Sequence, residues 1–250
     1  RYVRLGGLSG TLDEARRELF SVYGLGVRRV PLGRPSRRLT LAPRLFADHA
    51  GLWQAVRARI REFVASGRPV LVGTESVADS EALARHLTTA GIAHALLNAR
   101  NDGDEAAIVA AAGQPGRVTV ATNMAGRGTD IVLSPEVRAA GGLHVILSEY
   151  HDAARIDRQL FGRAGRQGDP GSCEAIVALD DELFVAHAAP LLGWLRAQAS
   201  PDGLLPDALG RLLRRFVQGA AERQNSRVRR QTVELDQRVE QSLAFAGRGE

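Results

Sequence analysis

Lysine is missing altogether from this 250-residue chain; all 33 basic side chains are arginine. Without lysine these residues can hold neither a phosphate loop of the G-x-x-x-x-G-K-[ST] kind nor a Schiff-base nucleophile. Cysteine is nearly as scarce. Cys173 stands alone, which excludes an internal disulfide and a cysteine-based metal cluster and fits a reducing compartment. Its expected place is a buried strand. Aromatic residues make up 5% of the chain, and Trp53 and Trp194 are expected to be packing anchors. No window approaches the roughly 20 apolar residues of a membrane-spanning helix. The opening Arg1-Tyr2-Val3-Arg4 is not a signal peptide, and without an initiator methionine the chain reads as part of a longer one. Acids are absent between Arg28 and Arg44, where six arginines stand. Such a stretch could face nucleic acid, anionic lipid or an acidic protein, or could be compositional drift.

What is present is a folded, 44% hydrophobic protein with a net charge of +5, large enough for one core and an appendage. The start, 5–11, is a Gly/Ser/Thr loop that could offer backbone N–H groups to a phosphate. A helix is predicted over 13–23, a short strand over 27–32, and a proline- and arginine-rich connection over 33–43. A regular alternation follows. Helical spacing covers 52–65, an apolar strand 69–73, and a helix runs to Ala90 with Thr74 and Ser76 at its start and Gly91 at its stop. Strands are predicted at 94–98, 117–122, 143–147 and 173–179, with helices at 105–112 and 152–161. That rhythm predicts an α/β fold, a parallel sheet with helices on both faces. From Leu209 the pattern becomes a long amphipathic helix, interrupted near Asn225 and long enough to pack on something outside this chain. His86, His94, His144 and His151 lack metal-ligand spacing; His144 belongs in a buried strand and His151 at a helix start.

Two glycine-rich loops carry the candidate chemistry, and both fall near the carboxyl edge of the sheet, where ligands of such folds bind. The first is Asn123-Met124-Ala125-Gly126-Arg127-Gly128-Thr129-Asp130. The second lies in Gln159-Leu160-Phe161-Gly162-Arg163-Ala164-Gly165-Arg166-Gln167-Gly168, closed by Asp169-Pro170-Gly171 as a turn. Arg163 and Arg166, three apart, are expected on one side of a helix, with glycines that let another body approach closely. Two forked, permanently charged guanidiniums suit a phosphoryl group. The same stretch could also grip nucleic acid or pair with surface carboxylates.

G-R-G-T-D followed some thirty residues later by Q-x-x-G-R-x-G-R marks the second RecA-like domain of superfamily-two helicases and translocases. The fuller wording resembles one family closely. A-T-N-M-A-G-R-G-T-D-I, then G-G-L-H-V-I, then R-I-D-x-Q-L-x-G-R-x-G-R-Q-G-D-P-G is similar to SecA, the ATPase motor of bacterial protein export. Leu5–Thr11, Pro69–Ser76, Asn98-Ala99-Arg100 with Glu105–Ala110, and the stretch with Glu222, Asn225, Arg229-Arg230-Gln231 and Glu234-Leu235-Asp236 extend the resemblance over nearly the whole chain. Departures are Asp102, Phe161, Tyr150, Ser9 and Gln237; none removes Arg163, Arg166 or Asp130.

The resemblance implies a RecA-like parallel sheet followed by a long C-terminal helical segment. Residues 1–25 would end a first motor domain, 26–190 would be the second, and 191–250 would begin a helical scaffold. It implies that Arg163 and Arg166 are arginine fingers and that Gly126, Arg127, Gly128, Thr129, Asp130 and Gln159 contact ATP. ATP and Mg2+ would be held mainly by a first motor domain, because this chain lacks the Walker A lysine and a D-E-x-D site and is expected to be inactive alone. Implied partners are that first domain, the SecYEG channel, preproteins and an anionic membrane surface, at the cytoplasmic face of the inner membrane; nucleic acid is not expected. Two other readings stay open at this point: a superfamily-two nucleic-acid helicase C-terminal domain and a non-catalytic RecA-like binding module.

Overall fold

Three apolar runs, 70–74, 118–122 and 143–147, are buried at every position, which requires strands covered on both faces. The computed structural model describes residues 5–13, 15–98, 105–122 and 129–246, apart from the side chains of 237 and 240–246. In chain order its elements are α1 (Arg16–Tyr23), β1 (Arg37–Thr40), β2 (Arg44–Phe46), α2 (His49–Ala65), β3 (Val70–Thr74), α3 (Val77–Thr89) and β4 (Ala95–Leu97). Then come α4 (Glu105–Ala111), β5 (Val118–Thr122), α5 (Pro135–Ala139), β6 (Leu143–Leu147), α6 (Ala154–Phe161), β7 (Pro170–Ala178), α7 (Glu182–Ala188), α8 (Leu192–Ala197) and α9 (Asp207–Ala246).

The seven strands form one sheet in the order β1-β7-β6-β3-β5-β4, with β2 also on β7. All the ladders are parallel. β7 is long enough to pair β1 through 170–173 and β2 through 176–178 along one edge. Alternation along the strands feeds two cores. Val70, Val72, Val118, Val120, Ile146 and Ile176 face α2 and α3, meeting Leu52, Val56, Ile60, Leu83 and Leu87. Leu71, Ala121, Val145, Leu147 and Val177 face the other side, with Val137, Leu160, Phe184, Leu195, Leu213 and Val217. The RecA-like α/β architecture is therefore the observed one.

Local chemistry sets the helix ends. Asp48 caps α2 and Ser76 caps α3 through side chains that accept from Gly51 N and Asp79 N at 2.9 and 3.1 Å. Gly91, at φ +67, takes the left-handed conformation past α3.

Several expectations are corrected. Residues 27–32 form no strand; the edge strand is β1, inside the expected connection. α9 runs through Asn225 unbroken, because Asn225 Nδ2 donates to Asp152 Oδ2 at 3.3 Å and the helix continues around it. Pro170 and Gly171 open β7 instead of forming a turn; the turn closes earlier, where Asp169 N donates to Arg166 O at 2.8 Å. Trp194 is 56% exposed and no packing anchor, whereas Trp53 packs against the α2/α3 core.

Candidate functional site

The carboxyl ends of β4 and β5 open into a cleft of about 1250 Å³, larger than the roughly 300–1,000 Å³ of an enclosed small-molecule pocket. Its lining includes Ala121 and Thr122 from β5, Leu97 from β4, the 9–11 loop, Asp130, Ile156, Arg158, Gln159 and Leu160 of α6, and 162–168. Among the described residues, five arginines (Arg34, Arg38, Arg158, Arg163 and Arg166) line it against a single carboxylate, Asp130. Such a concave, cationic surface focuses a field that attracts a polyanion.

Arg163 and Arg166 do meet, though not on a helix. α6 ends at Phe161; Gly162 N donates to Arg158 O at 2.8 Å and Arg163 N to Leu160 O at 2.9 Å. Gly165 then turns left-handed at φ +67, and a single 3-10 turn follows at 166–168. The i,i+3 expectation fails because a left-handed residue lies between the two arginines. The loop still brings both to one segment. Arg163 Nη1 donates to Thr129 O at 3.0 Å, and Arg166 Nη1 to Asp130 Oδ1 at 2.7 Å. Gln167, itself at φ +52, donates from Nε2 to Asp130 Oδ2 at 3.3 Å, so both oxygens of the carboxylate are held.

The Arg166–Asp130 pair is open to solvent, at 40% and 41% exposure. An ion pair this exposed contributes at most about 1 kcal/mol, so an anion could displace it at little cost. Gln159 Nε2 donates to Thr11 Oγ1 at 3.1 Å, joining α6 to the Gly/Ser/Thr loop. Gly126, Arg127 and Gly128 lie outside the described residues.

The sequence reading missed what holds the 162–168 loop. Arg38 Nη1 donates to Phe161 O at 3.1 Å and Arg34 Nη1 to Gln167 O at 3.2 Å. A guanidinium at a helix C-terminus also complements its dipole. Arg44 lies 3.4 Å from the fully buried Glu174, and Arg29 lies 2.9 Å from Asp13. Four of the six arginines in the acid-free stretch therefore have internal partners. Only that stretch's unusual charge hinted at this role.

A different chemistry sits past β3 and β6. Burial, followed by the charges of Asp181, Asp79 and Glu75, pushes the Glu149 carboxyl up to about 8, and burial raises Glu75 as well. The carboxyl edge is thus cationic over β4 and β5 and acidic over β3 and β6. His144 is fully buried, its Nδ1 2.8 Å from Ser172 Oγ and its Nε2 3.1 Å from Glu174 Oε1. Burial raises Glu174, but the His144 hydrogen bond and the charges of Arg44 and Arg59 outweigh it and hold the carboxyl below its ordinary range. That network belongs to the buried interior, as does Cys173.

Among the described residues no group of three or more histidine, cysteine, aspartate and glutamate side chains could hold a metal ion. The described donor set, rich in guanidinium groups, fits the phosphates of a nucleotide.

Comparison with known proteins points the same way as the motifs. Protein translocase subunit SecA 2 of Nitrosospira multiformis is 54% identical over 250 residues, 100% of this chain and 38% of that protein. Protein translocase subunit SecA 2 of Bordetella avium is 49% identical over 255 residues, with 100% and 38% covered. Protein translocase subunit SecA 3 of Magnetococcus marinus is 49% identical over 252 residues, with 99% and 38% covered. The chain thus spans 38% of the length of these relatives. Among solved structures, the E. coli DEAD-box protein SrmB bound to RraA shares 20% identity over 62% of this chain and 84% of that one at a TM-score of 0.46, too loose a likeness to bear on function. A family model described as the SecA P-loop domain matches residues 35–138 and 134–195, and the chain belongs to the SecA family.

Proposed function

We propose that this chain is the second RecA-like motor domain of an ATP-driven protein translocase and supplies the arginine wall of a nucleotide site shared with a first motor domain. In this reading residues 1–25 end the first domain, 26–190 form the second, and 191–250 begin a helical scaffold whose first turns share the sheet's core. The observation that carries the reading is the convergence of Arg163 and Arg166 on 129–130 in a cationic cleft, in a chain whose family is SecA.

When bound, ATP with magnesium supplies a transferable phosphoryl group. Arg163 and Arg166 contribute positive charge where negative charge develops, the most effective place for fixed donors. Asp130 orients Arg166 and Gln167; Thr129, through its carbonyl, orients Arg163. Gly126, Arg127 and Gly128 are assigned to nucleotide contact by the motif they belong to, and Gln159 ties α6 to the loop at Thr11. Without the phosphate and magnesium cradle of the first domain the chain turns over no ATP by itself.

Hydrolysis then drives preproteins through a SecYEG-type channel at the cytoplasmic face of the inner membrane, near anionic lipid. The SecA family assignment favours this over a nucleic-acid track. The test is steady-state ATP turnover by the full-length protein carrying Arg163→Ala or Arg166→Ala. A fall in kcat of more than about tenfold with little change in KM is expected; unchanged kcat removes the assignment.

A further inference from the structure

α6 begins without a cap of its own. Its N-cap residue is Ala153, whose side chain offers no acceptor, and the first N–H groups of a helix need one. The acceptor comes from another helix: Ala154 N donates to Glu222 Oε1 on α9 at 3.0 Å. One turn earlier on α9, Gln218 Nε2 donates to Asp157 Oδ2 at 2.7 Å and to His151 O at 3.0 Å.

Asp157 is fully buried, so its carboxylate depends on these partners. Its other oxygen accepts from His151 N at 3.1 Å and lies 2.8 Å from His151 Nδ1. Arg214 Nη2 stands 3.7 Å from Asp157 Oδ2, its guanidinium 4.6 Å from the Tyr150 ring centroid. Farther along, Asn225 donates to Asp152 at 3.3 Å and Arg229 pairs with Glu18 of α1 at 2.6 Å. Positions 214, 218, 222, 225 and 229 follow steps of four, four, three and four, which is one face of a helix. α9 therefore presents a polar stripe that grips the N-terminal half of α6, while Arg163 follows directly from the C-terminal end.

We infer that Gln218 and Glu222 are positioning residues for the arginine loop. They fix where α6 starts and how it is tilted, and hence where Arg163 and Arg166 stand in the cleft. The inference rests on the arginine-wall reading for its effect on turnover, but its structural half is independent of that reading. An eight-residue helix has little stability of its own. Losing the acceptor of Ala154 N, or one of the three hydrogen bonds to its buried carboxylate, frees that end first.

The test uses the full-length protein with Gln218→Ala, Glu222→Ala and Glu222→Gln, alongside Arg163→Ala. Amide hydrogen exchange over 154–168 is expected to rise about tenfold or more in both alanine variants, with β3 and β6 unchanged. ATP turnover should fall about fivefold or more in kcat, with KM within about twofold. Glu222→Gln keeps an oxygen that can accept from Ala154 N and should recover at least half of the loss. Unchanged exchange over 154–168, faster exchange spread evenly through the strands, or a turnover loss that Glu222→Gln does not recover would each overturn the inference. If Arg163→Ala leaves kcat unchanged, the finger reading fails instead, and the exchange result still decides whether Gln218 and Glu222 position α6.

Discussion

Gly165→Ala tests whether the arginine loop is built as described. Gly165 sits at φ +67, and a Cβ there would lie 2.7 Å from Arg38 Cβ and 3.1 Å from Arg38 Cα. A side chain in the left-handed region costs about 1–2 kcal/mol, partly offset by about 0.4–1 kcal/mol from the stiffer unfolded chain. The backbone effect alone therefore leaves a loss near 1 kcal/mol. The collision adds an overpacking cost of about 1–3 kcal/mol, because the atoms struck belong to edge strand β1 and to the base of a side chain bonded to Phe161 O.

Gly91 supplies the control. It has the same φ, +67, with nothing within 4 Å of its Cβ position, so Gly91→Ala isolates the backbone effect. For a domain of this size each kcal/mol moves the melting temperature by about 2–4 °C. Thermal unfolding should show a fall of about 2–4 °C for Gly91→Ala and about 4–16 °C for Gly165→Ala. A double-mutant cycle with Arg38→Gly, which removes the struck Cβ, should return part of the difference. Equal shifts for the two alanine variants would refute the claim that β1 cradles the loop.

Three further outcomes follow from the same geometry. Glu149 is raised to about 8, so its folded form keeps a proton that the unfolded chain releases above about 4.3; stability is lost progressively as pH rises from there toward 8. Glu149→Gln should raise stability at pH 8 by roughly 1–2 kcal/mol once screening by solvent is allowed for, seen as a higher melting temperature, and change little at pH 4; an equal gain at both pH values would contradict the burial argument. His49 is raised by its hydrogen bond to Asp181, with burial opposing. Its stabilisation is present below about 6.5 and fades as pH rises through the higher folded value, so His49→Gln should destabilise at pH 5.5 more than at pH 8.5 in the same melts. Gly142→Ala would place a Cβ 1.9 Å from Pro170 O at φ +76, and a collision of backbone with backbone should cost more than about 3 kcal/mol; a melting temperature within 2 °C of the parent would count against the β6–β7 register.

The central strands were legible because they are mostly β-branched and aliphatic runs, and α3 because Ser76 and Gly91 punctuate it; α5, α7 and α8 were not foreseen. β1 was not legible: Arg37-Arg38-Leu39-Thr40 is exposed at all four positions and is a strand only because β7 offers it an edge. Val27–Leu32 has a strand's composition but no neighbouring strand. Arg163 and Arg166 could be read from the motifs, but their geometry could not, since nothing local marks Gly165 as left-handed between them. The contacts of Arg34 and Arg38 with the loop cross more than a hundred residues, as local patterns never do. The grip of Gln218 on Asp157 was hidden for the same reason, and a polar residue on a long helix reads by default as solvent-facing.

The central claim is that Arg163 and Arg166 act on charge that develops during phosphoryl transfer, not on ground-state binding. The most direct measurement compares the affinities of the full-length protein and its Arg166→Ala variant for ATP and for ADP with aluminium fluoride, a mimic of the transferring group. The account predicts that the variant loses about a hundredfold or more for the mimic and no more than about threefold for ATP. Equal losses for both ligands, or none for either, would contradict it.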